Sequence, residues 1–509
     1  MTVLRRGGAP DERAPARTHD RPSRVTDPEF CVGLAAIVAL GAGLMLRRIG
    51  DAPLWRDEIW TSSISSRSLG GVFDVMANRE TNMGLYYLTA HGWLSLDGGD
   101  GWLRTLSVVF ALGAVVMTAL FVRDVLGNVW GLVSAVVLGL NPFFFWYARE
   151  ARAYSMVIFM AAAAIFFFGR ASASSRIDRW MVLYGLFAVL GVYTQLLFVF
   201  LVASHAATLA VNRRITRSWV IVHTAILALV SPLVLYVLAS GRGHPDWLDR
   251  PTVGDLIEFG GTALGYDRTQ PWTHLVVPLT CAVLLVVGVA AIAEQAYRPV
   301  VAGALIATIG PVMGIWLISQ AKPLFLARYM VWVLPYLTFL LVLGLSRLPS
   351  RPTLGIASCA LILFPWLRVD LAYSDQIKGE DPRAATAHVV ESSRPGDVVL
   401  FRPAWSRVVY EQYRDGRATS PEDVAIAADG SMLETGDIVA REISAAELEE
   451  ALEGARRVWV VGYPDSNWSI TSEPARQMES ASVESGEWTL QDERDFGDLN
   501  VRLYEVDPS

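Results

Sequence analysis

"FCVGLAAIVALGAGLMLRRIGDAPLWRDEIWT" occupies residues 30–61. Residues 30–46 are all apolar or glycine, enough for a helix of about 25 Å, near the thickness of a bilayer core. Two arginines and a Pro-containing turn follow. Then come two adjacent carboxylates, Asp57 and Glu58, between Trp55 and Trp60. Tryptophan concentrates at membrane–water boundaries, so the acidic pair sits at the edge of the lipid. A carboxylate in hydrocarbon costs about 3 kcal/mol on insertion scales, and such groups therefore face protein or water and tend to be functional. The plainer alternative is a wet loop anchored by two indoles.

The pattern repeats along the chain. Of its 509 residues 53% are hydrophobic and only 18% charged, where a soluble chain would carry nearer a quarter; the mean hydropathy is +0.36. Apolar runs at about 30–46, 102–121, 129–146, 153–169, 180–193, 196–211, 219–240, 274–296, 300–319, 328–345 and 353–370 predict an α-helical polytopic membrane protein with about eleven spans. An odd number puts the two ends on opposite sides. Six arginines precede the first span, and "RASASSRIDR", "NRRITR" and "SRLPSRP" are short basic loops that fall on that same side. The positive-inside rule makes it the cytoplasm, with Arg47 and Arg48 against the rule. In a bacterial-like cytoplasmic membrane the C-terminal tail is then extracytoplasmic. "GLYYLTAHGWLSL" (84–96) is too short to span and reads as an interfacial or re-entrant helix within a long outer loop, 47–101.

Three regions follow: a disordered cytoplasmic arm (1–28), a transmembrane domain (29–370) and a soluble tail (371–509). The tail has 28 acids against 13 bases, which argues against a nucleic-acid partner. "RAATAHVVESS" reads as helix, "RPGD" as turn and "VVLF" as buried strand. "AAELEEALEGARR" and "VWVVGYP" repeat the order, and "EWTLQD" with "LNVRLYEV" closes it as a strand pair. This predicts a small α/β domain with a parallel core. Cys31, Cys281 and Cys359 lie in apolar segments with no disulfide or metal spacing. Asn467-Trp468-Ser469 matches a glycosylation acceptor by chance in this setting.

The charged residues collect on one membrane face. "NPFFFWYAREARAYSM" places Tyr147, Arg149, Glu150, Arg152 and Tyr154 in a short outer loop. Arg104 opens the second span in "DGWLRTLS", and Arg328, just after Lys322, opens a late one in "KPLFLARYM". Singly, each cation reads as a snorkelling interfacial residue. Together with the acidic pair they suit one chemistry. Arg104, Arg149, Arg152, Lys322 and Arg328 could hold a lipid-borne phosphate by charge-assisted hydrogen bonds, while an acid deprotonates a hydroxyl that attacks the adjoining carbon.

With these residues in place, "LWRDEIWT", "ETNMGLYYLTAHGWL" with "GWLRTLS", "NPFFFWYAREARAYSM" and "KPLFLARYMVWVLPYL" resemble, in order, the GT-C fold membrane glycosyltransferases. The likeness is to family 39-like enzymes related to protein O-mannosyltransferases and aminoarabinose transferases. The tail opening "EDPRAATAHVVESSRPGDVVLF" resembles actinobacterial members. The resemblance implies an inverting transfer of a sugar, mannose by family habit, from a polyprenyl-phosphate donor to an extracytoplasmic glycan, lipid or protein acceptor. It implies Asp57 as base, Glu58 as companion acid, and Arg104 and Arg328 near the donor. Glu150 and Tyr154 of the second loop, with Glu80 and Asn82 of the first, are expected on the acceptor side. Relatives read His-Pro-Pro before "LYY", where this chain has Thr81-Asn82-Met83-Gly84. His91 on the following helix reads as packing. Asp57, Glu58 and Glu150 could also share a divalent ion such as Mg or Mn through oxygen ligands.

Two rival classes remain at this point. A lipid-linked-sugar flippase would show broken, symmetric spans with binding groups near mid-membrane; no internal repeat is visible here. A non-catalytic assembly or binding protein whose tail engages envelope glycan is kept open by the altered Thr81-Asn82-Met83-Gly84 stretch.

Overall fold

The computed structural model describes residues 27–172, 174–240, 248–266, 275–348, 352–373, 379–414, 420–432, 435–463 and 474–507. The expected N-terminal arm (apart from its last two residues) and the Asn467-Trp468-Ser469 pattern lie outside them. The membrane part begins with α1 (Pro28–Leu46), capped by the Asp27 carboxylate. Three short helices follow, α2 (Arg56–Ser65), α3 (Leu69–Asn78) and α4 (Gly84–Leu94). Then come α5 (Asp100–Leu126), α6 (Asn128–Gly139), α7 (Pro142–Ala148), α8 (Tyr154–Ala171), α9 (Arg179–Thr194), α10 (Val199–Val211) and α11 (Arg217–Ser240). The set closes with α12 (Val253–Ala263), α13 (Val276–Ala290), α14 (Arg298–Ser319), α15 (Leu334–Leu345) and α16 (Pro352–Tyr373).

Eight of these helices, some with an adjoining 3-10 turn, are long and apolar enough to cross a membrane, or nine if the bent pair α6–α7 is one span; α9 and the 196–211 segment are shorter apolar helices. The chain is thus a multi-pass membrane protein. The 129–146 segment, expected as one straight span, bends by 67°. Pro142 lacks an N–H and cannot continue α6, and the Asn141 side chain accepts from the Phe144 N–H to start α7 afresh. Leu40, Leu229, Leu238, Val286, Leu317 and Ile356 stand exposed on the outer helix faces, the lipid-facing belt of such a bundle. α13 and α15 approach backbone to backbone: a Cβ on Gly344 would lie 2.0 Å from the Leu284 carbonyl oxygen, so only glycine permits the crossing.

The tail contains α17 (Pro382–Ser392), β1 (Val398–Arg402), α18 (Ser406–Tyr413), α19 (Ala445–Ala451), β2 (Arg457–Gly462), α20 (Pro474–Ser485), β3 (Trp488–Phe496) and β4 (Leu499–Val506). The sheet order is β1-β2-β4-β3. β1 and β2 are parallel and the remaining pairs antiparallel. Alternation buries Val399, Phe401, Trp459 and Val461 toward the helices that face the membrane part, as the period of two requires.

The tail sits on the end of the bundle that carries α2. The Tyr413 hydroxyl donates to Asp100 and accepts from the Leu54 N–H. The Arg56 N–H donates to Glu380, and its guanidinium lies over the rings of Trp405 and Tyr463. Arg67 donates to the carbonyls of Met432 and Asp437. The basic segments gather at the opposite end, where Arg170, Asn212, Arg214 and Pro299 line one cavity.

Candidate active site

α2 starts at Arg56, after the N-cap Trp55, and its two carboxylates occupy the first turn, where they meet unpaired N–H groups and the positive end of the helix dipole. Adjacent residues on a helix point about 100° apart, so the pair divides its roles. Glu58 turns inward and is fully buried. Its Oε1 accepts from Arg104 Nε at 2.8 Å and from the Ala151 N–H at 2.8 Å, and its Oε2 accepts from Arg104 Nη2 at 2.5 Å. Arg104 also donates to the carbonyls of Ile49, Ala52 and Pro53. Five donors meet five acceptors, the full capacity of a guanidinium, so none is left over for a phosphate. The pair ties α2 and α5 to the turn after α1 and to the 149–153 loop.

Asp57 faces the other way and keeps its side chain 17% exposed. Its carboxylate stands 3.6 Å from Arg328 Nη2, an ion pair looser than a direct hydrogen bond. Arg152 Nη1 reaches the Asp57 carbonyl at 3.2 Å and the Tyr87 hydroxyl at 3.4 Å. Arg152 also feels the charges of Asp57 and Glu80, and Arg328 lies in electrostatic reach of Tyr147, Tyr154 and Tyr329. One acid, two arginines and several tyrosines therefore converge from four segments distant in sequence. Among the described residues, Arg152 Nε, Arg328 Nε, the Tyr154 hydroxyl and both amide atoms of Gln195 are buried without a hydrogen-bond partner. Buried polar atoms are nearly always satisfied, so such a set marks a place where a polar group belongs.

The other candidates are distributed differently. Arg149 is a strut: it donates to the carbonyls of Met45 and Arg47 at the end of α1 and lies over Phe145. Glu150 is buried in the same loop. The Asn82 side chain accepts from the Leu196 N–H, joining the first outer loop to the break before α10. Lys322 is exposed, with no ion pair among the described residues. Asp57, Glu58 and Glu150 do not form a metal-binding group, and no such group of three or more is present among the described residues. Glu80, partly buried beside this cluster, has its carboxyl pushed up to about 7, by burial first and then by Asp57, with Arg152 opposing. His91 Nδ1 lies 3.0 Å from the Ser65 carbonyl oxygen, which is packing. In place of the expected prolines, Met83 adopts a left-handed backbone with φ 70°, and Gly84 fits against the Met76 methyl, where a Cβ would come to 2.5 Å.

Tyr87, Tyr329 and Gln195 were not singled out from sequence. Tyr87 and Tyr329 sit in quoted motifs but read as interfacial aromatics. Gln195 had a signal: it is a lone amide between two apolar stretches, where α9 stops.

The fold matches solved membrane proteins. ArnT from Cupriavidus metallidurans in its apo state superposes with a TM-score of 0.66 at 13% identity, over 93% of this chain and 98% of that one. The same protein bound to undecaprenyl phosphate gives 0.60 at 12% identity, over 92% and 97%. The oligosaccharyltransferase AglB from Archaeoglobus fulgidus aligns at 10% identity over 84% of this chain and 69% of that one, with a TM-score of 0.48. No protein-family model matches the chain, and neither does any curated protein. The chain accordingly has a GT-C-like membrane fold with a small C-terminal sheet domain, the fold class expected from its sequence, with eight or nine membrane-length helices among the described residues where about eleven spans were expected.

Proposed function

We propose that the protein is an inverting glycosyltransferase that moves a sugar from a polyprenyl-phosphate donor to an acceptor hydroxyl at the tail side of the membrane. The observation that carries this reading is Asp57, a partly exposed carboxylate on the first turn of α2, facing Arg328 beside arginine and tyrosine donors that lack protein partners. The match to a fold solved with undecaprenyl phosphate supports the donor class.

In this reading Asp57 takes the proton of the acceptor hydroxyl. The oxygen attacks the anomeric carbon, whose bond to the phosphate oxygen breaks, and polyprenyl phosphate leaves with the electron pair. Arg328 and Arg152 hold that phosphate and stabilise the charge that grows on it. Glu58 and Arg104 keep α2 in register rather than touching substrate, and Arg149 fixes the 149–153 loop. Glu150, Tyr154, Glu80 and Asn82 shape the acceptor side. The arginine-rich end faces the cytoplasm and the tail lies outside. Mannose is the first sugar to try.

The test uses purified protein and Asp57→Asn with a panel of polyprenyl-phosphate sugars and an envelope acceptor fraction, reading released polyprenyl phosphate. Release by the wild type, reduced 10²–10⁴-fold in the variant, is the expected result. No release from any donor overturns the enzyme reading; movement of intact labelled lipid across vesicles would then indicate a flippase.

A further inference from the structure

A cavity of about 830 Å³ lies at the opposite end of the bundle from Asp57. That is the size range of sites that take small ligands. Its mouth is formed by residues at helix ends: Arg170, Trp180, Arg214 and Tyr297. Its floor is apolar and lies deeper, made by Phe121, Ile165 and Tyr336, with Phe168 and Leu209 on the wall between. Ile165 is six residues from the end of α8, about 9 Å below the mouth at 1.5 Å per residue. The Tyr336 hydroxyl is occupied by His205 Nε2 at 3.1 Å, so the floor offers little to a polar guest.

We propose that this cavity binds one anionic phospholipid from the arginine-side leaflet, its phosphate at the mouth and an acyl chain on the floor. Trp180 and Tyr297 mark the level of the lipid headgroups, as interfacial aromatics do. The three charged residues of the lining, Asp124, Arg170 and Arg214, sum to +1. Arg170 is held by both oxygens of Asp124, at 2.6 and 3.1 Å, and rests on Phe166 and Trp180. Arg214 is exposed and makes no ion pair among the described residues, so it is the cation available to a phosphate. Basic recesses between transmembrane helices are suited to anionic headgroups. A soluble anion would leave the aromatic floor unfilled, and a zwitterionic lipid, whose phosphate can also reach Arg214, brings a cation that leaves the +1 of the lining uncompensated. This site is separate from the Asp57 cluster and does not depend on the transfer reaction.

The experiment is native mass spectrometry of the full-length protein with phosphatidylglycerol and phosphatidylcholine of identical acyl chains, with melting curves to certify each variant as folded. Wild type should retain phosphatidylglycerol preferentially. Arg214→Gln should reduce that preference about tenfold, the worth of one charge-assisted contact. Val300→Trp, which fills the cavity, should lower retention of both lipids; Leu209→Trp replaces it if that variant fails to melt cooperatively. Equal retention of the two lipids by wild type, or unchanged retention in Arg214→Gln and the filled variant, overturns the proposal.

Discussion

The Glu58 carboxylate and the Arg104 guanidinium meet edge to edge, Nε to Oε1 at 2.8 Å and Nη2 to Oε2 at 2.5 Å, with side-chain exposures of 0% and 4%. Among the described residues, the ion pair of the neighbouring Asp57 carboxylate is a 3.6 Å approach to Arg328. Two adjacent acids on one helical turn thus have opposite consequences. Glu58→Gln or Arg104→Ala leaves a buried charge unpaired and should destabilise the fold by about 3–5 kcal/mol. Asp57→Asn should cost less, about 1 kcal/mol, because its 3.6 Å pair with Arg328 is looser and partly exposed. Denaturation of the detergent-solubilised variants measures both; a Glu58→Gln protein as stable as wild type would remove its structural role.

Arg328 is expected to act on donor binding. Arg328→Gln should weaken donor affinity about 10- to 100-fold, the range of a charge-assisted hydrogen bond. Titration with polyprenyl phosphate alone reads this without turnover. Unaltered affinity would assign the phosphate to other residues.

Glu80 supplies a pH dependence. Its folded carboxyl titrates near 7 instead of its ordinary 4.5, chiefly because burial disfavours the charged form. Protonated Glu80 therefore favours the folded state. That contribution is whole below about pH 4.5 and is lost as the pH rises through about 7. Glu80→Gln should flatten the fall in melting temperature across this window relative to wild type. Parallel curves for the two proteins would contradict it.

The tail grips the helix that carries Asp57. Arg67 at the end of α2 binds two carbonyls of the tail, and Trp60 meets Trp405 edge to face at 6.1 Å. Arg67→Ala together with Trp405→Ala should loosen the tail and speed its release by limited proteolysis several-fold. It should also lower turnover more than donor affinity, because Asp57, the proposed base, would be displaced and Arg328, the proposed phosphate ligand, would not. An unchanged proteolysis pattern would show that the remaining contacts suffice.

Much of this was legible in one dimension. Apolar length marked the helices, Pro142 sits where the expected straight span breaks, and short apolar runs marked β1 and β2 in the tail. The sequence also brought Asp57, Arg152 and Arg328 under suspicion, because charges at the ends of apolar helices are costly and few. Residue type alone did not separate Asp57 from Glu58; only the family resemblance assigned one as base and the other as companion. Their types are nearly equivalent, and the distinction rests on a 100° turn about the α2 axis and on which partner lies across it. Arg104 and Arg149 were equally opaque, since a cation at a helix end looks the same whether it meets a ligand or a carbonyl.

By itself, then, the sequence determined that this is a membrane bundle with a soluble α/β tail and acids and arginines at its boundary. Hydrophobic periodicity and helix-breaking residues are local properties, and they survive without coordinates. Only the tertiary structure decided which charges are engaged and which face open space. Pairing depends on contacts between residues 46 to more than 300 positions apart, such as Glu58 with Arg104 and Leu54 with Tyr413, and no local pattern encodes such distances.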